Sequence, residues 1–375
     1  WKERLDEIMI KKSLGLQTFR KYESLNRQFD ENLNSFDGDN AQGKTNMLEA
    51  AYVSGTTKSH SGAKDREMIS FDKEEAHICT RIEKNGITHK IDIHLRKNKT
   101  KGIAIDGIPI KKAGELFGII YFVFFSPEDL GIIKNGPSER RRFIDMELCQ
   151  LDRVYLHQLS NYNKILLQRN RLLKDLAYRP DDKGVLDVLD LQLVKYGRQI
   201  IRIRKHFVEE LDGLMVRIHD KLSGGREKMA LGYEYNVSEA EFEKELARGR
   251  ERDLKLKTTS IGPHRDDISF LVNGIDIRKY GSQGQQRTSA LSLKLSEIEL
   301  VKKRVHDTPV LLLDDVLSEL DGSRQNYLLN YIHNIQTLIT CTGLDEFINN
   351  RFSVDRIYRV SGGMVTVETG PEAVE

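Results

Sequence analysis

Gly38-Asp39-Asn40-Ala41-Gln42-Gly43-Lys44-Thr45 fits the phosphate-loop pattern G-x-x-x-x-G-K-[ST]. The glycines let the backbone curl until its N–H groups point at phosphate oxygens. The Lys44 ammonium then reaches the β- and γ-phosphates, and the Thr45 hydroxyl can ligate Mg²⁺. A helix starting at Lys44 adds its positive dipole end to the same anion. Met47, Leu48 and Ala51 supply that helix with an apolar face. The strand this loop requires ahead of it falls on residues 33–37, a weaker signal because Asn34, Ser35 and Asp37 are polar.

A phosphate loop needs a carboxylate partner. Val310-Leu311-Leu312-Leu313-Asp314-Asp315 reads as a buried strand of a parallel sheet ending in two acids. Asp314 is expected at Mg²⁺, and Asp315 beside the attacking water as its positioner or general base. About thirty residues earlier, Tyr280-Gly281-Ser282-Gln283-Gly284-Gln285-Gln286-Arg287 opens a helix carrying Leu291, Leu293, Leu295 and Ile298. A serine and a glycine at a helix start form a second anion-binding surface. Leu222-Ser223-Gly224-Gly225-Arg226 imitates a transporter signature, but it lies almost ninety residues before Asp314 and reads as a glycine-capped helix end.

The 375 residues allow one large or two ordinary domains. Apolar residues at 39% and charged residues at 31% place the chain among folded proteins and exclude a disordered tail. No apolar run nears the roughly 20 residues of a membrane helix; residues 119–125 read as a buried strand. Cys79, Cys149 and Cys341 form no Cys-x-x-Cys pair, which fits a reducing, cytoplasmic setting. The ten histidines show no zinc spacing. Residues 1–8 lack the apolar core of a secretory signal, and Met9 is expected to be the natural start.

Three blocks follow. Strand signals dominate residues 10–125: Ile87, Ile91, Ile93 and Leu95 alternate, and Asp106-Gly107 marks a hairpin. Residues 138–222 are helical. Leu186, Leu189, Leu193, Tyr196, Ile200, Ile203, Phe207, Leu211 and Leu214 make one stripe, and residues 148–176 behave likewise. The segment 178–184, with Pro180 and Gly184, breaks the pattern and suggests an antiparallel helical hairpin. Strands return from Thr258, with Ile268, Phe270 and Val272 ahead of an Asn273-Gly274 turn, and again at 337–340. The expected fold is α/β: an ATPase-like head from residues 1–125 and 258–375, with a mainly helical domain of residues 126–257 inserted.

Taken together, residues 38–46, 280–295 and 309–321 resemble the RecF recombination-mediator proteins of bacteria. Phe19-Arg20-Lys21-Tyr22-Glu23, Ser126-Pro127-Glu128-Asp129-Leu130, Arg140-Arg141-Arg142-Phe143-Ile144-Asp145 and Gly262-Pro263-His264-Arg265-Asp266-Asp267 extend the likeness over residues 10–360. The resemblance implies an ABC-type P-loop head related to SMC proteins, without their long arms. It implies that the nucleotide-contacting run continues past Thr45 to Asn46. It implies that Ser282, Gly284 and Gln285 contact the γ-phosphate held by the phosphate loop of a second copy, so that two ATP molecules are sandwiched in a homodimer. It implies that Ser318-Glu319-Leu320-Asp321 crosses that interface and that Thr342 is the switch position. It further implies a weak DNA-dependent ATPase that clamps duplex DNA at single-strand gaps or junctions, works with RecR and RecO in loading RecA, and reopens on hydrolysis. The chain departs from the family pattern at Asp37, where an aliphatic residue is usual, at Ser61-Gly62, where Arg-Thr is usual, and at Cys341, which interrupts a threonine run.

Charge alone does not name a partner, because 59 basic residues face 57 acidic ones. Arg140 to Arg142, then Arg96, Lys97, Lys99 and Lys101, and then Arg198, Arg202 and Lys205 are the local basic clusters; each reads first as solvated surface charge, the adjacent Arg140 to Arg142 dividing between phosphate contacts and ion pairs, so DNA binding rests mainly on the resemblance. Two other readings share the phosphate chemistry: an ATPase subunit of a membrane transporter, and a structural head that binds nucleotide and scarcely hydrolyses it.

Overall fold

The computed structural model describes residues 9–176, 183–342, 354 and 356–368. The expected extension 1–8 and most of the expected 178–184 connection lie outside the described residues. Contacts divide the chain into two compact units, residues 1–129 with 297–375, and residues 130–296.

The first unit holds two six-stranded sheets. One is antiparallel, in the order β2 (Tyr22–Gln28), β1 (Met9–Phe19), β4 (Glu75–Lys84), β5 (Ile87–Arg96), β6 (Gly102–Ile105), β7 (Ile108–Pro109). Its hairpins turn at Asn85-Gly86 and Asp106-Gly107, both residues of each pair having positive φ, the geometry that matches strand twist. The expected alternation holds from Ile91 to Leu95, but Ile87 is 60% exposed because it opens β5 beyond the covered part of the sheet. A bulge between Lys11 and Ser13 breaks the β1–β4 register, and the Gln336 amide bonds the Lys11 N–H at 2.7 Å and its carbonyl at 2.9 Å.

The other sheet runs β15 (Met364–Glu368), β14 (Arg356–Ser361), β3 (Leu33–Asp37), β13 (Thr337–Cys341), β12 (Val310–Asp314), β8 (Phe122–Phe125). All neighbours are parallel except the β14–β15 pair. Its continuous apolar strands, β8 and β12, are buried along their whole length, as a sheet covered on both faces demands. The weakly signalled β3 is a central strand nonetheless. Asn34 exchanges hydrogen bonds with the Asp30 backbone at 2.8 and 2.9 Å, and the Ser35 hydroxyl reaches Cys341 Sγ at 3.8 Å, so these two polar side chains are buried with partners, while Asp37 Oδ1 is buried without a hydrogen bond. Helices α1 (Lys44–Thr56) and α10 (Gly322–Ile332) complete the unit.

The second unit holds α2 (Leu130–Lys134), α3 (Pro137–Leu151), α4 (Arg153–Asp175), α5 (Lys183–Ser223), α6 (Phe242–Arg248), α7 (Arg250–Leu256), α8 (Ile277–Tyr280) and the start of α9 (Gln283–Val305). α4 and α5 are antiparallel: Tyr155 meets Arg204, Gly197 lies under Tyr162, and Arg169 meets Asp190, each step forward on one helix being a step back on the other. Gly184, expected in the connection, lies within α5. Within the insertion expected to be mainly helical lies a strand, β9 (Met229–Glu234), which pairs with β10 (Asp267–Val272) and, through it, with β11 (Ile275–Asp276). That pairing carries residues 258–296 into the second unit, whereas the sequence placed the return to the head at residue 258. Among the described residues no helix is long and apolar enough to cross a membrane.

α5 ends in a Schellman motif, as the glycine pair at 224–225 anticipates. The Gly225 N–H bonds the Asp220 carbonyl at 2.8 Å and the Gly224 N–H bonds that of Lys221 at 3.3 Å, with both glycines at positive φ. A Cβ at Gly224 would meet nothing within 4 Å, so Gly224→Ala costs only the left-handed backbone term. A loss of about 1 kcal/mol is expected in a denaturant titration.

Candidate nucleotide-binding site

The loop from Gly38 to Gly43 joins the C-terminal end of β3 to α1, with Asp39, Asn40 and Ala41 at its exposed tip. Its shape is fixed by neighbours as well as by glycine. A Cβ on Gly38 would lie 2.2 Å from the Val360 carbonyl oxygen, so only glycine fits. The Tyr22 hydroxyl donates to the Gly43 carbonyl at 2.9 Å, and Lys21 Nζ to that of Ala41. The β14–β15 turn adds Gly362 N–H to Gln42 Oε1 at 2.6 Å and Gly363 N–H to the Gln42 carbonyl at 3.2 Å. These residues, 21–22 and 362–363, carried no signal of a role at the loop; the close approach becomes visible only once β1, β3 and β14 are placed.

Lys44, Thr45, Asp314 and Asp315 meet in one hydrogen-bonded group. The Thr45 hydroxyl donates to Asp314 Oδ1 at 3.0 Å, and the Thr340 hydroxyl donates to the same oxygen at 2.8 Å. Thr340 in turn accepts the Asp315 N–H at 2.9 Å. Lys44 Nζ donates to the Cys341 carbonyl at 2.7 Å, to the Gly38 carbonyl, and to Thr342 Oγ1 at 3.4 Å. Thr342 Oγ1 lies 3.3 Å from both Asp315 Oδ1 and Asn40 Oδ1, one of which takes its proton. Burial pushes the Asp314 carboxyl above the usual carboxylate range, opposed by the Thr340 and Thr45 hydroxyls. Asp315 sits at φ 52°, a left-handed conformation that aims its carboxylate away from the strand. Thr340 was read only as a buried strand residue, yet it orients both acids. The alternation Thr340-Cys341-Thr342 at the strand end was the available signal.

Asn46 is expected among the nucleotide contacts. It is half-buried in the first turn of α1, and its side chain takes no part in the group around Asp314 and Asp315. The reason is helical geometry: Asn46 is one residue beyond Thr45, so its side chain leaves the helix about 100° away from the hydroxyl that meets Asp314. What Asn46 can offer an anion is its backbone N–H. The helix ladder begins with the Met47 N–H on the Gly43 carbonyl at 3.2 Å, which leaves the N–H groups of Lys44, Thr45 and Asn46 ahead of it without a helical acceptor.

Ser282, Gly284 and Gln285 belong to the second unit, at the start of α9. Ser282 is exposed, and it forms a reciprocal capping box: the Gln285 N–H donates to Ser282 Oγ at 3.2 Å and the Ser282 N–H to Gln285 Oε1 at 3.0 Å. The helix tip is thereby fixed, and the helical ladder begins with the Gln286 N–H on the Ser282 carbonyl at 3.0 Å, which leaves the Gln283 and Gly284 N–H groups ahead of it without a helical acceptor. Ser318, after β12, donates to the Asp315 carbonyl at 2.8 Å, and Asp321 caps α10 through the Arg324 N–H.

The departures from the family pattern have local explanations. Asp37, 6% exposed, turns its Oδ2 toward Arg359 of the adjacent strand at 3.8 Å. Ser61 bonds Ser59, whose hydroxyl reaches Glu49, itself held by Arg20 at 2.8 Å. Most of the basic clusters are ion-paired: Arg140 with Asp267, Lys97 with Glu74, Lys101 with Asp65, Arg198 with Glu243 and Arg202 with Glu239.

A parallel sheet with a phosphate loop after one strand and paired acids after another defines an ATPase head of the ABC type. Comparison with known proteins agrees. The family model described as the RecF/RecN/SMC N-terminal domain matches residues 10–366. The DNA replication and repair protein RecF of Agathobacter rectalis is 65% identical over 359 residues, covering 96% of this chain and 99% of that protein. The RecF protein of Lachnoclostridium phytofermentans is 60% identical over 362 residues, covering 96% and 100%. A solved structure of the recombination mediator RecF with ATP, in the RecFOR pathway, superposes with a TM-score of 0.92 at 34% identity, covering 98% of this chain and 100% of that one. An Smc head domain from Pyrococcus furiosus shares the fold, with a TM-score of 0.55 at 14% identity over 96% of each chain. The chain belongs to the RecF family.

Proposed function

We propose that this chain is an ATP-gated DNA clamp of recombinational repair. Residues 38–46 hold the triphosphate: backbone N–H groups, that of Asn46 included, and the Lys44 ammonium face its oxygens, and Lys44 neutralises charge that grows on them during transfer. Mg²⁺ fits the oxygen donors present, because a hydroxyl and a buried carboxylate 3.0 Å apart, Thr45 and Asp314, with few protein ligands in all, are what that ion accepts. Bound there, the metal would supply charge neutralisation at the phosphates. Asp315, steered by Thr340 and Thr342, orients the attacking water and takes its proton. Ser282, Gly284 and Gln285 of a second copy complete the site, so nucleotide favours the closed homodimer. Shifting that equilibrium from 1:99 to 99:1 takes about 5.5 kcal/mol of differential binding. DNA at gaps or single-strand/double-strand junctions is the substrate, with RecR and RecO as partners and RecA loading as the outcome. Hydrolysis reopens the clamp. A cytoplasmic setting suits the three free cysteines.

The observation that carries this reading is the connected group Thr45–Asp314–Thr340–Asp315–Thr342 beside Lys44, on a chain that also presents a rigidly capped serine at the start of α9. Sedimentation of wild type and Ser282→Arg with ATP and Mg²⁺, with and without gapped DNA, tests it. Wild type is expected to become dimeric with ATP, and Ser282→Arg to stay monomeric. Equal dimerisation of the two proteins overturns the shared site.

A further inference from the structure

Many arginines of the second unit are locked to carboxylates, and three of these, Arg140, Arg169 and Arg204, are buried. Others bond neutral oxygens: Arg217 and Arg226 reach carbonyls three or four residues back in their own segment, and three more gather around residues 259–266. Arg252 Nε donates to Ser260 Oγ at 3.1 Å, Arg265 Nη2 to the Thr259 carbonyl at 3.3 Å, and Arg141 Nη1 to the Asp266 carbonyl at 2.7 Å. All three acceptors lie within residues 259–266, so three guanidiniums from three places in the chain converge on one short turn. Arg252 and Arg265 are exposed and Arg141 is half-buried.

The turn beneath them is built as a rigid platform. Asp266 is buried and accepts the Tyr233 hydroxyl, the Asn236 N–H at 2.8 Å and Arg204 at 3.5 Å. Arg169 bonds Thr259 Oγ1 at 2.9 Å and Asp253 at 2.7 Å. Gly262, at φ 135°, passes so close under Tyr162 that a Cβ would stand 2.4 Å from its hydroxyl. His264 lies 2.7 Å from that hydroxyl through Nδ1 and 3.0 Å from the Thr259 carbonyl through Nε2, so its neutral ring donates from Nε2. Burial lowers its pKa to about 4, and the positive charges of Arg265 and Arg141 act in the same direction. The acids of this region, Asp145, Asp253, Asp266 and Asp267, are themselves engaged by Arg204, Arg169 and Arg140. What is left on the outer side is an excess of guanidinium charge, with Lys255 and Lys257 also exposed and only Glu251 opposing them on the same helix end.

We propose that the outer face of the 259–266 turn is a phosphodiester-binding surface, with Arg252, Arg265 and Arg141 taking phosphates of duplex DNA. Guanidinium forks match phosphate oxygens bidentately, and donors now bonded to neutral oxygens keep N–H groups available for them. The one aromatic ring of residues 259–267, His264, is held at both nitrogens by Tyr162 and the Thr259 carbonyl and packs against the Tyr162 ring, so the surface reads backbone rather than splayed single strand. Rigidity of the platform lowers the ordering cost of binding. The inference rests on the DNA-clamp reading and gives it a location.

The test measures anisotropy of a labelled duplex of about 30 base pairs with the full chain and ATP, at several salt concentrations. The slope of log K against log salt is expected to fall by roughly two in Arg252→Ala/Arg265→Ala, with about tenfold weaker binding at low salt. The Arg252→Lys/Arg265→Lys protein should recover most of the slope. ATP-dependent sedimentation, expected to match wild type, shows that the variants fold and dimerise. Wild-type slope and affinity in the double alanine protein overturn the inference and leave the clamp reading standing; so does a loss confined to single-stranded DNA, or a loss confined to an acidic protein partner. A wild-type chain that does not bind duplex DNA with ATP overturns both.

Discussion

Asp315→Asn is expected to lower ATP hydrolysis about 10²- to 10⁴-fold, the range a positioned general base contributes, while nucleotide-driven dimerisation persists. The substitution isolates chemistry from folding for a specific reason. Asp315 sits at φ 52°, where asparagine is among the few residues tolerated. The backbone N–H keeps its bond to Thr340, and the amide oxygen can still accept from Thr342. What disappears is the capacity to take a proton from water. Lys44 and Ser282 are untouched, so the ATP-bound dimer should accumulate instead of turning over. Asp314→Asn makes the contrasting case. That carboxylate receives two threonine hydroxyls at once and faces the position proposed for Mg²⁺, so nucleotide affinity falls with hydrolysis. Single-turnover phosphate release, paired with sedimentation, distinguishes the two. Asp315→Asn hydrolysing within threefold of wild type would move the water-positioning role elsewhere.

The parts of this architecture that were legible in the sequence are those written locally. Glycine spacing announces the phosphate loop, an unbroken apolar run announces β12, and a serine ahead of an apolar helix announces the start of α9. Asp-Gly and Asn-Gly announce two hairpins, and the same turn chemistry at Asn85-Gly86 marks a third that was overlooked. The parts that were not legible depend on partners distant in the chain. β3 looked weak because its Asn34 and Ser35 are satisfied by Asp30 and by Cys341, the latter over three hundred positions away. β9 is a short strand inside the insertion expected to be mainly helical, and it is fixed by pairing with β10. Tandem arginines read as one basic cluster, yet Arg140 is buried against Asp267 while its neighbour Arg141 bonds only a carbonyl. Sequence gives the sign of a charge; only the fold gives its partner. Thr340 carries the same lesson for the candidate site: a residue that looks like strand filler bonds both Asp314 and Asp315. Asn46 is the converse, a polar residue beside Thr45 whose side chain the helix turns away from them.

Lys11 is a fully buried charge, and Lys11→Met is expected to stabilise the first unit by roughly 2–4 kcal/mol at pH 6. The side chain is 0% exposed. Its Nζ donates to the Ser54 hydroxyl of α1 at 3.1 Å and the Thr80 hydroxyl of β4 at 2.5 Å, and lies 5.7 Å from the Phe122 ring centroid. Among the described residues no carboxylate bonds it. Burial therefore lowers its pKa from 10.5 to about 7, with Cys79 a smaller opposing influence. The unfolded chain keeps its proton up to about pH 10 and the folded chain releases it near 7. Stability then stays level below pH 7, where both states are charged, and climbs as pH rises from 7 toward 10, by a span on the order of 5 kcal/mol. Methionine fills the same unbranched volume without charge. The two hydroxyls lose a donor but keep their own bonds, Ser54 to the Ala51 carbonyl at 2.6 Å and Thr80 to that of Ser13 at 2.7 Å, so neither is orphaned. Losing two hydrogen bonds from the ammonium sets the net gain below the full span. Denaturant titrations at pH 6, 7.5 and 9, with hydrogen exchange of the β1 and β4 amides to confine the readout to this sheet, measure both parts. The wild-type rise above pH 7 should vanish in Lys11→Met; a variant less stable than wild type at pH 6 would mean that the buried ammonium is stabilised in place, and that its contacts to α1 and β4 hold the phosphate-loop helix to the antiparallel sheet.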